Sequence, residues 1–361
     1  MFQGHMRRGL ALAAVAAAAV LAGCATDEPP APPPPPPPPP AVSLNEGVAE
    51  AASIYVAFMR EAGAIPAGGF SDAESIQAAI RRGAAYDPAQ LSRGLIAYGS
   101  ILALQSPEFV QGVRQYAVDP ATREELVARI IADPATAAVL PGAEAAASLI
   151  AGTLGQDAAA MLAIAEAVEN DAYKIQERAD PRRRWAVTHI ANREQRLEGA
   201  KTLSAASMLP SAEEAARLFA AANSGGGLTT AAATARAPYT PAVVRSLALA
   251  ALAALGAGGE DARPYTEALT VEQNSEFCLN MSKLMLFQCL AASRPSYEDM
   301  FCVGRHIARD LATCTTQTIT PAPLPVSPTL VADVDAATAE PVAAEAVAAS
   351  AAATASLDSG R

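Results

Sequence analysis

Helix-start signals recur along this chain so densely that little room is left for any other secondary structure. Asp87-Pro88, Ser106-Pro107, Asp119-Pro120, Asp133-Pro134, Asp180-Pro181 and Thr240-Pro241 each set a capping side chain directly before a proline. The capping oxygen satisfies an orphan N–H of the first turn. Proline suits the first helical position because it has no N–H to lose there. Three further segments, Ser43 to Glu46, Ser71 to Glu74 and Ser211 to Glu214, carry the Ser-x-x-Glu capping box. Between these starts the apolar spacing is helical. Leu91, Leu95, Tyr98 and Leu102 share a face, as do Leu126 with Ile130, and Ala186 with Ile190 and Leu197. No run of alternating β-branched residues competes with them. The expected fold is all-α: an irregular bundle of about nine short helices between Ser43 and Ser224.

Composition agrees. Roughly a quarter of the residues are Ala, the best helix former and a poor strand former. Ala buries little area, so helices built on it must pack closely along their length. The net charge of −11 argues against general nucleic-acid binding. Lysine occurs only at 174, 201 and 283, so Arg supplies nearly all positive charge.

Residues 43–224 are expected to form one helical domain. Its most apolar part, Gly142 to Val168, is interrupted by Glu144, Gly155-Gln156-Asp157 and Glu166, which predicts two buried core helices rather than a membrane span. Asp119-Pro-Ala-Thr122 recurs as Asp133-Pro-Ala-Thr136, too close for a solenoid unit and more simply one good cap used twice. A Gly/Ala/Thr stretch over 225–239 reads as a linker. Residues 240–314 hold another helix, with an apolar run from Leu247 to Leu255, and then a cysteine-bearing segment. From Thr315 to Ser359 there is no Lys or Arg, and the Pro- and Ala-rich tail 315–361 is expected to be disordered.

The N-terminus gives an address. Arg7 and Arg8 precede an apolar run from Leu10 to Leu21, too short to span a bilayer and laid out like a secretory signal peptide. Leu21-Ala22-Gly23-Cys24 resembles the lipobox of bacterial lipoproteins. That resemblance implies removal of residues 1–23, a diacylglycerol on the Cys24 sulfur and an acyl chain such as palmitate on its new amine. Ala25 stands where an Asp tends to retain such proteins in the inner membrane, so the resemblance implies lipid anchoring at the outer membrane, facing the periplasm. The proline tract within 24–42 then forms a polyproline II stalk of roughly 37 Å.

Four cysteines follow, at 278, 289, 302 and 314. In an oxidising compartment they default to disulfides. Cys278 and Cys289 lie about three helical turns apart and share a face with Ser282 and Met285. Arg294-Pro295-Ser296 is a natural turn into a second helix. Facing residues of an antiparallel hairpin keep a constant index sum, and the sums for Cys278 with Cys314 and for Cys289 with Cys302 differ by one. Those are the pairs expected, in a disulfide-stapled helical hairpin. On one straight helix Cys302 and Cys314 would stand about 120° apart, so the second helix is expected to end before Cys314. No CxxC pair supports a zinc site or a thiol–disulfide catalyst, and no metal or cofactor is expected.

Catalytic constellations are absent from the sequence: no nucleophile elbow, phosphate loop or dinucleotide fingerprint occurs. Glu74-Ser75 resembles the Glu-Ser pair of lytic transglycosylases, but their downstream Gly-Leu-Met-Gln stretch is missing and capping accounts for Glu74. His189 and His306 sit in no metal-spaced cluster. The one basic concentration runs from Arg178 to Lys201. Glu177, Glu194 and Glu198 balance it as a solvated helix face; alternatively Arg182, Arg183, Arg184 and Trp185 are a docking face for an anionic partner or lipid headgroups, with Trp185 as anchor. The reading reached is a non-catalytic envelope lipoprotein that binds or positions a periplasmic or outer-membrane protein. The alternatives are a carrier of an apolar ligand and a peptidoglycan-acting enzyme.

Overall fold

A computed structural model describes residues 38–178 and 180–321. The signal segment, Cys24, most of the proline stalk and the tail from residue 322 onward lie outside the described residues. Within them the fold is helical throughout, with two isolated β-bridges, Leu44 to Gly258 and His189 to Pro295.

The helices are α1 Glu46–Gly63, α2 Ala73–Ala84, α3 Pro88–Ala103, α4 Pro107–Arg114, α5 Pro120–Ala132, α6 Ala143–Glu177 and α7 Arg193–Ala205. They continue as α8 Ala212–Ser224, α9 Pro241–Ala254, α10 Arg263–Leu269, α11 Gln273–Ala292, α12 Ser296–Val303 and α13 Asp310–Ile319. A π-helical turn, Gly304–Arg309, joins α12 to α13.

The capping logic holds with instructive shifts. Asp87, Ser106, Asp119 and Thr240 each accept from the N–H three residues on, and each is followed by its proline. Asp133 and Asp180 instead start short 3₁₀ turns, Pro134–Val139 and Pro181–Val187. Ser211 caps α8 as expected. The other two boxes move inward. Asp72 and Ser75 form the reciprocal box of α2, while Glu74 is exposed and pairs with Arg81 at 2.6 Å. Asn45, not Ser43, caps α1, because its amide also donates to Gly258 O (3.0 Å) and Thr266 Oγ1 (2.8 Å), a tertiary anchor that Ser43 does not supply.

The core is built by close approach. α3 lies at the centre, with α1, α6, α9 and α11 against it. A Cβ added at Gly94 would stand 2.6 Å from the Ala51 carbonyl of α1, so only glycine admits that crossing. Every residue from Leu247 to Leu255 is completely buried; that apolar run is filled by protein. The helices on either side of 225–239 share one hydrophobic core, so this segment is not a boundary between two helical bodies. It instead lies along α6, where Ala231 N–H donates to Thr153 Oγ1 at 3.1 Å.

Where two helices were expected over Gly142 to Val168, there is one helix, α6, that continues to Glu177. It starts at Gly142 in the left-handed region (φ 80°). Its buried stripe, Ala147, Ile150, Leu154, Ala158, Met161, Ala165 and Val168, keeps three- and four-residue steps straight through Gly155-Gln156-Asp157. A mid-helix glycine costs about 1 kcal/mol relative to Ala, too little to break a helix packed along its length. By length and composition α6 could cross a membrane; here it is the spine against which the π turn, α12 and α13 pack.

Candidate docking face on the disulfide hairpin

Both expected disulfides are present, Cys278–Cys314 and Cys289–Cys302, each with Cα atoms 5.7 Å apart. The second arm does not end before Cys314, contrary to expectation. It runs unbroken from Ser296 to Ile319, and Cys314 lies inside α13. The π turn makes this possible by taking up one extra residue. Cys302 and Cys314 are then separated, in phase, by eleven α-helical positions, leaving only about 20° between them. Cys278 and Cys289 are also eleven apart, so the two arms match.

The turn is fixed from two sides. Arg309 grips Glu169 of α6 through two hydrogen bonds (2.7 and 2.9 Å), and Ser282 of α11 donates to the His306 carbonyl at 3.3 Å. His306 Nδ1 lies 3.2 Å from Asp310.

The hairpin is also bolted to the body. Arg193 of α7 donates to the carbonyls of Ala291 and Ser293, both at 2.7 Å, capping the C-terminus of α11. Arg196 is buried and pairs with Asp299 at 2.5 Å, and it also donates to the Leu290 carbonyl. Ser293 and Gln77 donate to the same carboxylate (2.6 and 3.0 Å). Burial pushes the Asp299 carboxyl up, and Ser293, Arg196 and Gln77 oppose it. Two arginines of the basic segment therefore face inward rather than forming a solvated face.

Lys283 anchors the middle of α11. Its ammonium donates to the carbonyls of Tyr86, Ser204 (3.0 Å) and Ala84 (3.4 Å) and lies 4.2 Å from the Tyr86 ring centroid. Burial pulls its pKa down to about 7. The Asp87 carboxylate works in the other direction.

With one side so fully engaged, the outward side of α11 is apolar as well. Phe277 is 66% exposed, Leu284 47%, Met285 40% and Met281 39%. Their spacing of i, i+4, i+7 and i+8 is a single helical stripe. Asn274, Asn280 and Gln288 flank it, and no exposed position of α11 carries a charge. Alongside runs a groove of about 410 Å³ between α11 and α13. It is lined by Phe277, Met281, Met285, Thr313, Gln317 and the Cys278–Cys314 bridge, with Asp310 as its one charged lining residue. A second groove, about 330 Å³, lies on the far side of α13 against Leu162 and Ala158 of α6.

No family model, curated protein or solved structure matches this chain.

The four residues singled out as a docking face are not presented together. Arg182 and Arg184 are exposed. Arg183 pairs with Asp171 at 2.5 Å, and half-buried Trp185 packs against the core. Met285, expected inside the hairpin, lines the outer groove instead. Sequence reasoning missed the stripe formed by Phe277, Met281 and Leu284. Its signal was present as helical spacing without charge, but α11 is apolar on both sides and its pattern alone does not say which side is covered. Among the described residues no group of three or more His, Cys, Asp or Glu is arranged to hold a metal ion.

Proposed function

We propose that this protein is a non-catalytic lipoprotein of the bacterial envelope, held at the outer membrane through acylated Cys24 and facing the periplasm, whose hairpin docks another protein. The outward face of α11 carries this reading. Four large apolar side chains in one stripe, without charge, have the composition of an interface core, where aromatic residues and Met are enriched and charged residues depleted. Met adapts to varied partner surfaces. Two disulfides and the Lys283 and Arg196 anchors hold the face rigid before any partner arrives, which lowers the entropy lost on binding. The lipobox resemblance and the proline tract support the tether.

The test is a photo-crosslinking residue placed at Leu284 of the full chain in intact cells, with Arg184 as a second position. A discrete protein adduct at Leu284 is the expected result. Only diffuse background at Leu284, with a discrete adduct at Arg184, would move the docking surface to the basic turn. Labelled palmitate should enter the wild type and not Cys24→Ala; incorporation into both would remove the anchor.

A further inference from the structure

We propose that the cavity between α6 and α12 binds a quaternary ammonium group, such as that of choline, in an aromatic cage. Its volume is about 210 Å³, and its lining is Ala172, Tyr173 and Gln176 of α6 with Tyr297, Glu298 and Phe301 of α12. Half of that lining is aromatic, in a chain with only 8 Tyr, 8 Phe and 1 Trp. Helical spacing gathers the rings. Tyr297 and Phe301 stand four apart and share a face of α12, and Tyr173 comes across from α6, against which α12 packs. The Tyr173 and Phe301 rings are 5.8 Å apart between centroids, with their planes at 68°. Two walls therefore meet at a steep angle, and Tyr297 supplies a third. Buried Ala172 contributes only a methyl group, which leaves the space between the rings unfilled. Tyr173 is about half exposed, so a ligand enters beside it from solvent. The cage shares no residue with the α11 face, so the two proposals stand or fall separately.

The chemistry of the lining selects the ligand. An aromatic face is the negative part of the ring quadrupole and attracts a cation within about 6 Å of its centroid. Glu298 adds a formal negative charge. Its Oε2 accepts from the Arg294 N–H at 2.7 Å, which fixes the carboxylate beside the rings. Among the described residues no Lys, Arg or His forms an ion pair with it. One carboxylate and one amide are too few oxygen donors for a hard metal ion. A primary ammonium brings three N–H donors and a strong hydration shell that rings do not replace. A quaternary ammonium has no N–H to satisfy, and its methyl groups are content against rings. The cavity is smaller than the about 300–1,000 Å³ that drug-sized ligands occupy, which suits one small headgroup. Free choline and the headgroup of phosphatidylcholine present the same group to it.

Calorimetric titration of choline into the full chain tests this, in a maltoside detergent that carries no ammonium group. Saturable binding is the expected result. The neutral tert-butyl isostere of choline has the same shape without the charge, and should bind about tenfold more weakly or worse. Tyr173→Leu should weaken choline binding by about fivefold or more, while Tyr173→Phe retains it. Glu298→Gln keeps the side-chain shape and an acceptor for Arg294, and should also weaken binding by about fivefold. Non-reducing peptide mapping, with both disulfides intact, certifies the fold of each variant. Absence of saturable choline binding, equal binding of the isostere, or undiminished binding in both Tyr173→Leu and Glu298→Gln overturns the cage. Dihexanoyl phosphatidylcholine separates the two sources. Binding about tenfold tighter than choline, not shared by dihexanoyl phosphatidylglycerol, assigns the cage to a lipid headgroup. Binding equal to that of choline assigns it to a free solute.

Discussion

Cys302 and Cys314 both face α11 although twelve residues separate them on one continuous helical arm, because the π turn Gly304–Arg309 between them absorbs one residue. The one-unit difference between the two index sums is that residue. The bridge pairing and the π turn are thus one structural fact seen in two places.

Deleting Arg305, an exposed member of the turn, removes the absorbed residue and should leave a plain α-helical arm in which the two cysteines are eleven positions apart and keep their phase. The expected outcome is retention of both Cys278–Cys314 and Cys289–Cys302, with no titratable thiol. Thiol titration with non-reducing mapping reads it; loss of Cys278–Cys314 would show that the turn does not absorb that residue.

Arg196 and Asp299 form a buried pair that joins α7 to the hairpin. Arg196→Met leaves a carboxylate in a site that already disfavours its charge, and should cost about 3–5 kcal/mol in urea unfolding. Replacing both, Arg196→Met with Asp299→Leu, should cost distinctly less than the single change. Equal costs would mean the carboxylate finds another partner.

Burial raises the Asp157 carboxyl to about 6, and the Tyr55 hydroxyl beside it, outside strict hydrogen-bond geometry, pulls only weakly the other way. The folded state therefore holds this proton more tightly than the unfolded chain. Stability contributed by the protonated form is present below about pH 4 and is lost as pH rises through about 6. Asp157→Asn should stabilise the protein by about 1–2 kcal/mol at pH 7 and by almost nothing at pH 4. Thermal unfolding across that window would show it; a gain independent of pH would place the cause elsewhere.

Gly94 sits where α3 crosses α1, against the Ala51 carbonyl and Tyr55. Gly94→Ala raises helix propensity, yet it should destabilise by about 1–3 kcal/mol because backbone has to move. An unchanged or higher midpoint in denaturant would show that the crossing relaxes freely.

Local chemistry made much of this legible in advance. Asp87, Ser106, Asp119 and Thr240 announce their helices because a cap is a bond within one turn, written in adjacent residues. Cys278 to Cys314 could be paired because a hairpin is a nearly local object whose register follows from counting. The same counting misplaced the end of the second arm, since a π turn has no sequence signature of its own. It exists here because Arg309 meets Glu169 and Ser282 meets the His306 carbonyl, contacts between residues far apart in the chain. Gly155-Gln156-Asp157 looked like a break because polar residues and glycine weaken an isolated helix, but packing on α6 outweighs that small cost. Arg193 and Arg196 read as solvated because nothing in their neighbourhood names the carbonyls and carboxylate they find on the hairpin.

Capping, propensity and hairpin register act over a few residues, so the helical character, most helix starts and the cysteine pairing can be read from residue order alone. Which of the two apolar sides of α11 is covered depends on contacts between distant parts of the chain. Lys283, Leu286 and Leu290 turn inward because α2, α3 and α7 are there to receive them, and Phe277, Met281 and Leu284 are left facing out.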